Sequence, residues 1–135
     1  PSVTLEEGLE KTVQWYLDSY NPEFNRENLR VFKETIQIIP QIPGCRSVFI
    51  IYPLMEGFES EYPLKPIHIQ VAALAEQAGL PVLDLTTAFA GQKTSDLWVH
   101  ATDHHPNGKA NAIASKAIIE WLKKDVPWFL EPDQP

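Results

Sequence analysis

Ser47-Val48-Phe49-Ile50-Ile51-Tyr52, closed by Pro53, and Leu80-Pro81-Val82-Leu83-Asp84-Leu85 are two short runs dominated by β-branched, aromatic and aliphatic residues. Neither shows the strict apolar–polar alternation of a strand with one face in water. Both faces are therefore predicted to be buried, as in a parallel sheet covered by helices on both sides. Between the two runs, Ile67, Val71, Leu74 and Ala78 recur at helical spacing, and Gly79 follows as a C-cap. Strand, helix and strand in that order imply a right-handed βαβ unit and an α/β fold with parallel strands. In such sheets ligands bind beyond the carboxyl ends of the strands.

Upstream, Thr4-Leu5-Glu6-Glu7 is a capping-box pattern, and Leu5, Leu9, Val13, Tyr16, Leu17 and Tyr20 share one helical face. This predicts a helix from Leu5 to about Tyr20, ended by Asn21-Pro22. A second helix is predicted from Asn25 to about Ile39, with Leu29, Phe32, Ile36 and Ile39 on one face and Pro40 and Pro43 as stops. Leu54 to Pro66 is a long connection and a candidate substrate-side loop. Its Met55, Phe58 and Tyr62 suit either an apolar wall for an acyl group or the loop's own packing anchors. Thr86 to Thr102 reads as mostly loop, with a helical turn near Ala88. A last helix from Asn111 to Lys123 places Ile113, Ala114, Ala117, Ile118, Trp121 and Leu122 inward, with Lys123 and Lys124 near its negative end. Asp84 is expected to cap the turn after its strand, His68 to be partly buried and structural, and Trp128 and Phe129 to dock as a tail.

With 135 residues, 44% of them hydrophobic, the chain suits one domain or part-domain: a helix at 1–20, a body at 21–125 and a tail at 126–135. A net charge of −7 argues against nucleic acid or an anionic membrane surface as the main partner. Cys45 is the only cysteine, so no intramolecular disulfide forms and no cysteine-based zinc site is available. That fits a reducing compartment, with the cytoplasm as the default expectation. No run approaches the roughly 20 apolar residues of a membrane span, and no basic-then-apolar leader stands at the start. Because the chain begins at Pro1, a piece of a longer protein is among the expectations.

Chemistry concentrates in Leu97-Trp98-Val99-His100-Ala101-Thr102-Asp103-His104-His105-Pro106-Asn107-Gly108. Three arrangements fit these residues. The loop can be a solvated surface turn at Pro106-Asn107-Gly108. Three imidazoles and a carboxylate can supply metal ligands, although His104 and His105, being adjacent, point apart in extended backbone. Or Asp103 and His105, two apart on an extended segment, share a side and form an orienting carboxylate and a general base.

Asp103-His104-His105-Pro106-Asn107 before a small-residue helix resembles the last motif of the SGNH (GDSL-type) hydrolases. Tyr52-Pro53 after a strand, Tyr62-Pro63-Leu64 before a helix with Ile67-His68, and Pro81-Val82-Leu83-Asp84-Leu85 follow the same order as in that family. The resemblance spans roughly Asn25 to Leu122. It implies a flavodoxin-like α/β/α sandwich, of which this chain holds the second half. It also implies hydrolysis of an ester or acyl bond without a cofactor, with His105 as general base and Asp103 as its partner. Here the spacing is Asp-x-His, where the family more often has Asp-x-x-His. The family's Gly-Asp-Ser nucleophile turn and Gly-x-Asn-Asp oxyanion segment do not occur in this chain.

The serines present are Ser2, Ser19, Ser47, Ser60, Ser95 and Ser115, and only Ser95 sits in a loop leading to the histidine segment. The resemblance therefore implies a serine supplied by a completing segment, a second chain or another copy. The alternative expectation is a non-catalytic α/β module that binds a ligand or a protein. Separately, Thr4 to Leu17 resembles the closing helix of sugar-nucleotide epimerases and dehydratases, but neither Gly-x-Gly-x-x-Gly nor Tyr-x-x-x-Lys is present. No dehydrogenase activity is implied.

Overall fold

The first of the two runs forms β1 (Phe49–Ile51) and the second β2 (Val82–Asp84), paired in parallel with Phe49 opposite Val82, Ile50 opposite Leu83 and Ile51 opposite Asp84. Phe49 N–H to the Pro81 carbonyl (2.8 Å) and Leu85 N–H to the Ile51 carbonyl (3.0 Å) extend the ladder at both ends. The computed structural model describes residues 22–131, so the helix predicted over 5–20 and the last residues of the tail lie outside the described residues.

The period of two in a strand explains why neither run alternates with polar residues. Phe49 and Val82 pack on one face against Ile36, Ala75 and Leu80. Ile50 and Leu83 pack on the other against Met55, Phe58, Leu85, Phe89, Leu97 and Ala114. Ile36 comes from α1 (Pro22–Ile38) and Ala75 from α2 (Lys65–Gln77), so these two helices cover the first face. The second face is covered by the 53–62 loop, the short α3 (Thr86–Phe89) and α4 (Gly108–Asp125). Leu85, Phe89 and Leu97 are fully buried, each contributing about 1.5–3 kcal/mol. The class is mixed α/β.

Local signals set most boundaries. Pro22 starts α1 three residues before the expected Asn25, in keeping with proline's fit to a first helical turn. Pro40 lies in the 3-10 turn Ile39–Gln41 that follows α1. Gly79, at φ +83°, ends α2: its N–H bonds the Glu76 carbonyl (2.9 Å) while Leu80 N–H bonds Ala75 (3.1 Å). This is a Schellman arrangement, and Leu80 completes it by packing on Ala75. Asn107 caps α4, which starts at Gly108, three residues ahead of the expected Asn111.

One expectation needs correcting. The segment read as loop between Thr86 and Thr102, together with the histidine stretch, contains an antiparallel hairpin: β3 (Trp98–His100) and β4 (Asp103–Pro106) joined by Ala101-Thr102. Trp98 lies opposite Pro106 and His100 opposite Asp103, so β4 carries one more residue than β3 between these pairs, a bulge. The turn lacks the Asn-Gly or Asp-Gly pair that marks two-residue hairpins in sequence. The hairpin forms a two-stranded sheet of its own, separate from the β1–β2 pair.

Candidate functional site

The four histidines are committed to four different environments. In β4, His105 Nδ1–H donates to Asp103 Oδ1 at 2.5 Å, and His105 backbone N–H donates to the same oxygen at 3.1 Å. Two donors converging on one carboxylate hold Asp103 below the usual carboxylate range, the imidazole bond being the larger cause and the backbone bond the next. The His105 side chain is 86% exposed and its Nε2 makes no hydrogen bond among the described residues. An imidazole fixed through Nδ1 with Nε2 open is arranged to exchange protons with a group brought to it.

His104, the intervening residue, turns the other way. Its ring stacks on the Trp98 indole with centroids 3.7 Å apart and planes 7° from parallel. Its Nδ1 lies 3.3 Å from Glu56 Oε1 and its Nε2 3.3 Å from the Ala101 carbonyl. Trp98 Nε1–H in turn donates to the Met55 carbonyl at 2.6 Å. His104 thus bridges the hairpin to the 53–62 loop. His100 Nδ1 accepts from Thr102 N–H (3.3 Å) and lies 3.0 Å from Thr102 Oγ1, bracing the hairpin turn. The three imidazoles of the stretch serve three partner sets, and no group of three or more metal-ligating side chains gathers among the described residues.

Asn107 fastens the base of the hairpin. Its Oδ1 accepts from Ala110 N–H (3.0 Å) as the cap of α4, and its Nδ2 donates to the Asp96 and Trp98 carbonyls, each at 2.9 Å. Its backbone N–H reaches the Leu97 carbonyl at 2.8 Å. The amide can be oriented only one way, since its acceptor faces a donor and its donor faces two acceptors. Nearby, Tyr52 at the end of β1 donates its hydroxyl to Asn111 Oδ1 (3.2 Å), tying the parallel pair to α4, and burial pushes the Tyr52 phenol up.

The proposed acyl-wall residues are core residues: Met55, Phe58 and Tyr62 are 2%, 3% and 5% exposed. Phe58 stacks on Tyr62 and on Phe89, with centroids 5.8 and 5.1 Å apart. Phe58 and Tyr62 also edge a cleft of about 310 Å³ shared with Lys65, Asp84 and Thr86, which neither Asp103 nor His105 lines. The loop that carries them is pinned: Phe58 N–H donates to Thr94 Oγ1 (3.3 Å), Gly91 N–H to the Phe58 carbonyl (2.8 Å) and Thr94 N–H to Glu59 Oε1 (2.7 Å). The Thr94 hydroxyl and N–H hold the Glu59 carboxyl below its usual range.

Asp84 caps as expected. Its Oδ1 accepts from Thr86 N–H (2.9 Å) and Thr86 Oγ1–H (2.7 Å), opening α3, and its Oδ2 accepts from the buried His68 Nδ1 at 3.0 Å. His68 thereby joins α2 to the end of β2. Trp128 docks through its carbonyl, which accepts from Arg46 at 2.5 Å. Ser95 is exposed in the 3-10 turn Thr94–Asp96 and makes no hydrogen bond to His105.

The roles of Glu56, Trp98 and Tyr52 around the hairpin have no local sequence signal, because each depends on a partner between 43 and 59 residues away. Asn107 before a helical run did carry a signal, that of an N-cap. None of the described helices is long and apolar enough to cross a membrane. Compared with known proteins, the chain matches no family profile, no curated protein and no solved structure.

Proposed function

We propose that this chain supplies the acid–base half of an SGNH-type serine hydrolase acting on an ester or acyl bond. The observation that carries the reading is the 2.5 Å contact of Asp103 Oδ1 with His105 Nδ1, which leaves Nε2 open at the surface. Nε2 takes the proton of a serine hydroxyl as that oxygen attacks the carbonyl carbon. It returns the proton to the leaving alcohol as the tetrahedral intermediate collapses, and repeats both steps with water to release the acid. Asp103 fixes the Nδ1–H tautomer and stabilises the imidazolium that forms. The nucleophile and the oxyanion donors come from a completing segment, a second chain or another copy, because none of the described serines bonds to His105. No cofactor enters the sequence of steps.

The same open surface around His105 favours a second reading, a non-catalytic module that binds a ligand or protein. The two separate on fluorophosphonate labelling followed by intact-mass analysis of the chain and of the assembly purified with it. The hydrolase reading expects an unlabelled isolated chain and a labelled serine in its companion. That label disappears with His105→Ala and survives His104→Ala. A label indifferent to His105→Ala overturns the assignment, and an assembly that takes no label leaves the binding module standing.

A further inference from the structure

Among the described residues, β1 is paired on one side only. In a parallel ladder the N–H and C=O of one residue point to the same side, and those of the next residue to the other. Phe49 N–H reaches the Pro81 carbonyl and Leu85 N–H the Ile51 carbonyl, so Phe49 and Ile51 are turned to β2, and Val48, Ile50 and Tyr52 to the opposite edge. On that edge these three residues make no backbone hydrogen bond among the described residues. The edge is not built to face water. Ile50 packs on the core around Phe58 and Leu85, and the run Ser47 to Tyr52 holds no charge. No lysine, proline or bulge blunts it, the devices that keep an exposed edge from pairing. Tyr52 and Leu54 stand exposed just beyond it. On the face above, α1 meets β1 through Phe32 on Phe49, and Arg26, Leu29, Arg30 and Lys33 border α2. At about 3.6 residues per turn, the exposed Val31 and Ile38 lie on the opposite flank of α1. The side of the layer away from α2 thus also leaves apolar groups in water.

The geometry points to the outer edge of β1 as the place where a β-strand of the serine-bearing companion adds to this chain, running parallel to β1. The occupant's identity rests on the hydrolase reading; its place rests on the edge. Direction follows from the site. The Tyr52 hydroxyl, just past the end of β1, bonds Asn111 at 3.2 Å in the first turn of α4, and the cap of that helix, Asn107, stands two residues after His105. The carboxyl end of β1 and His105 therefore meet the start of the same helix. A parallel neighbour, about 4.8 Å from β1, ends beside Tyr52. Its following turn then opens at the edge where parallel sheets carry their ligand-binding loops. An antiparallel neighbour would bring the beginning of its strand there instead. A second copy of this chain does not meet the need. Two-fold pairing of β1 with itself is antiparallel, sets the two His105 residues at opposite ends of the joint sheet, and brings no serine turn to either.

The test follows the Ile50 amide by hydrogen exchange in the isolated full chain and in the assembly purified with it, with the Ile51 amide, which faces β2, as internal reference. Pairing slows exchange at Ile50 at least about a hundredfold on assembly and leaves Ile51 protected in both states. A benzophenone side chain in place of the exposed Leu54 is then photo-cross-linked in the fluorophosphonate-labelled assembly. The captured peptide belongs to the polypeptide that carries the label, and a benzophenone in place of the exposed Ile119 on α4 does not capture it. A labelled assembly in which Ile50 exchanges as freely as in the isolated chain overturns the edge and leaves the hydrolase reading standing. Protection at Ile50 with capture of an unlabelled polypeptide, or of a second copy of this chain, overturns the occupant. Where no serine in that assembly takes label, the hydrolase reading falls with it. An isolated chain whose Ile50 amide is already protected overturns the inference as well.

Discussion

Replacing Asn107 tests how the candidate site is held. Asn107→Ala removes the α4 cap, about 1 kcal/mol, and two Nδ2–H bonds to the Asp96 and Trp98 carbonyls, about 1 kcal/mol each before allowing for solvent. The bond to Asp96 is exposed, so its share is smaller, and the expected loss is about 2 to 3 kcal/mol. With an unfolding entropy of roughly 2.1 cal/mol/K per residue, that lowers the thermal midpoint by about 7 to 11 °C. Asn107→Ser keeps a capping oxygen but neither donor, and should fall between wild type and alanine. Asn107→Asp also keeps the cap but sets a carboxylate against two carbonyl oxygens, so it too should lose stability. Calorimetry with a check for two-state unfolding reads all three. A loss under about 1 kcal/mol for alanine, or identical losses for serine and alanine, would refute this account of the clamp.

Two further outcomes follow from the same region. Gly57 sits at φ +71° with Pro63 Cδ only 2.9 Å from where a Cβ would stand, so Gly57→Ala should cost about 2 to 4 kcal/mol in denaturant unfolding; a change under 0.5 kcal/mol would show that the loop simply shifts. Asp103 should titrate below the ordinary aspartate value of about 3.9 in a carboxyl-carbon NMR titration, and His105→Ala should move it back up while leaving the smaller effect of the backbone N–H. Because the folded-state value is depressed, the pair's contribution to stability is present above the unfolded value and is lost as pH falls through the folded one. An Asp103 that titrates at or above 3.9 in the wild type would contradict the contact.

The parallel pair was legible because burial on both faces leaves a continuous apolar run, and Phe49 with Val82 on one side and Ile50 with Leu83 on the other account for it. The end of α2 was legible because Gly79 takes the left-handed conformation that the C-cap needs. The hairpin was not. Trp98-Val99-His100 is short, its turn residues are Ala101 and Thr102, and the bulge in β4 breaks the period of two. The closeness of Asp103 to His105 was readable, being a contact across two residues of extended chain. The stacking of His104 on Trp98 and the reach of Glu56 depend on how the 53–62 loop folds back, which no local pattern encodes.

That division between local and distant bears on how the proposed half-site works. Asp103 and His105 are set against each other within one strand, so the pair can exist before anything else is assembled. What it lacks is shelter: at 86% side-chain exposure the imidazole faces bulk water, which screens its interaction with Asp103. The groups that aim the pair are instead rigidly placed, with Trp98 bonded to Met55, Met55 in the core and Asn107 clamped to two carbonyls. A base that is oriented by rigid neighbours yet open on its working nitrogen suits a surface onto which a second surface closes. On the proposed reading, that second surface brings both the serine and the exclusion of water. Turnover would then depend on association, and dilution of the assembly would lower activity per chain with no change in the fold around His105.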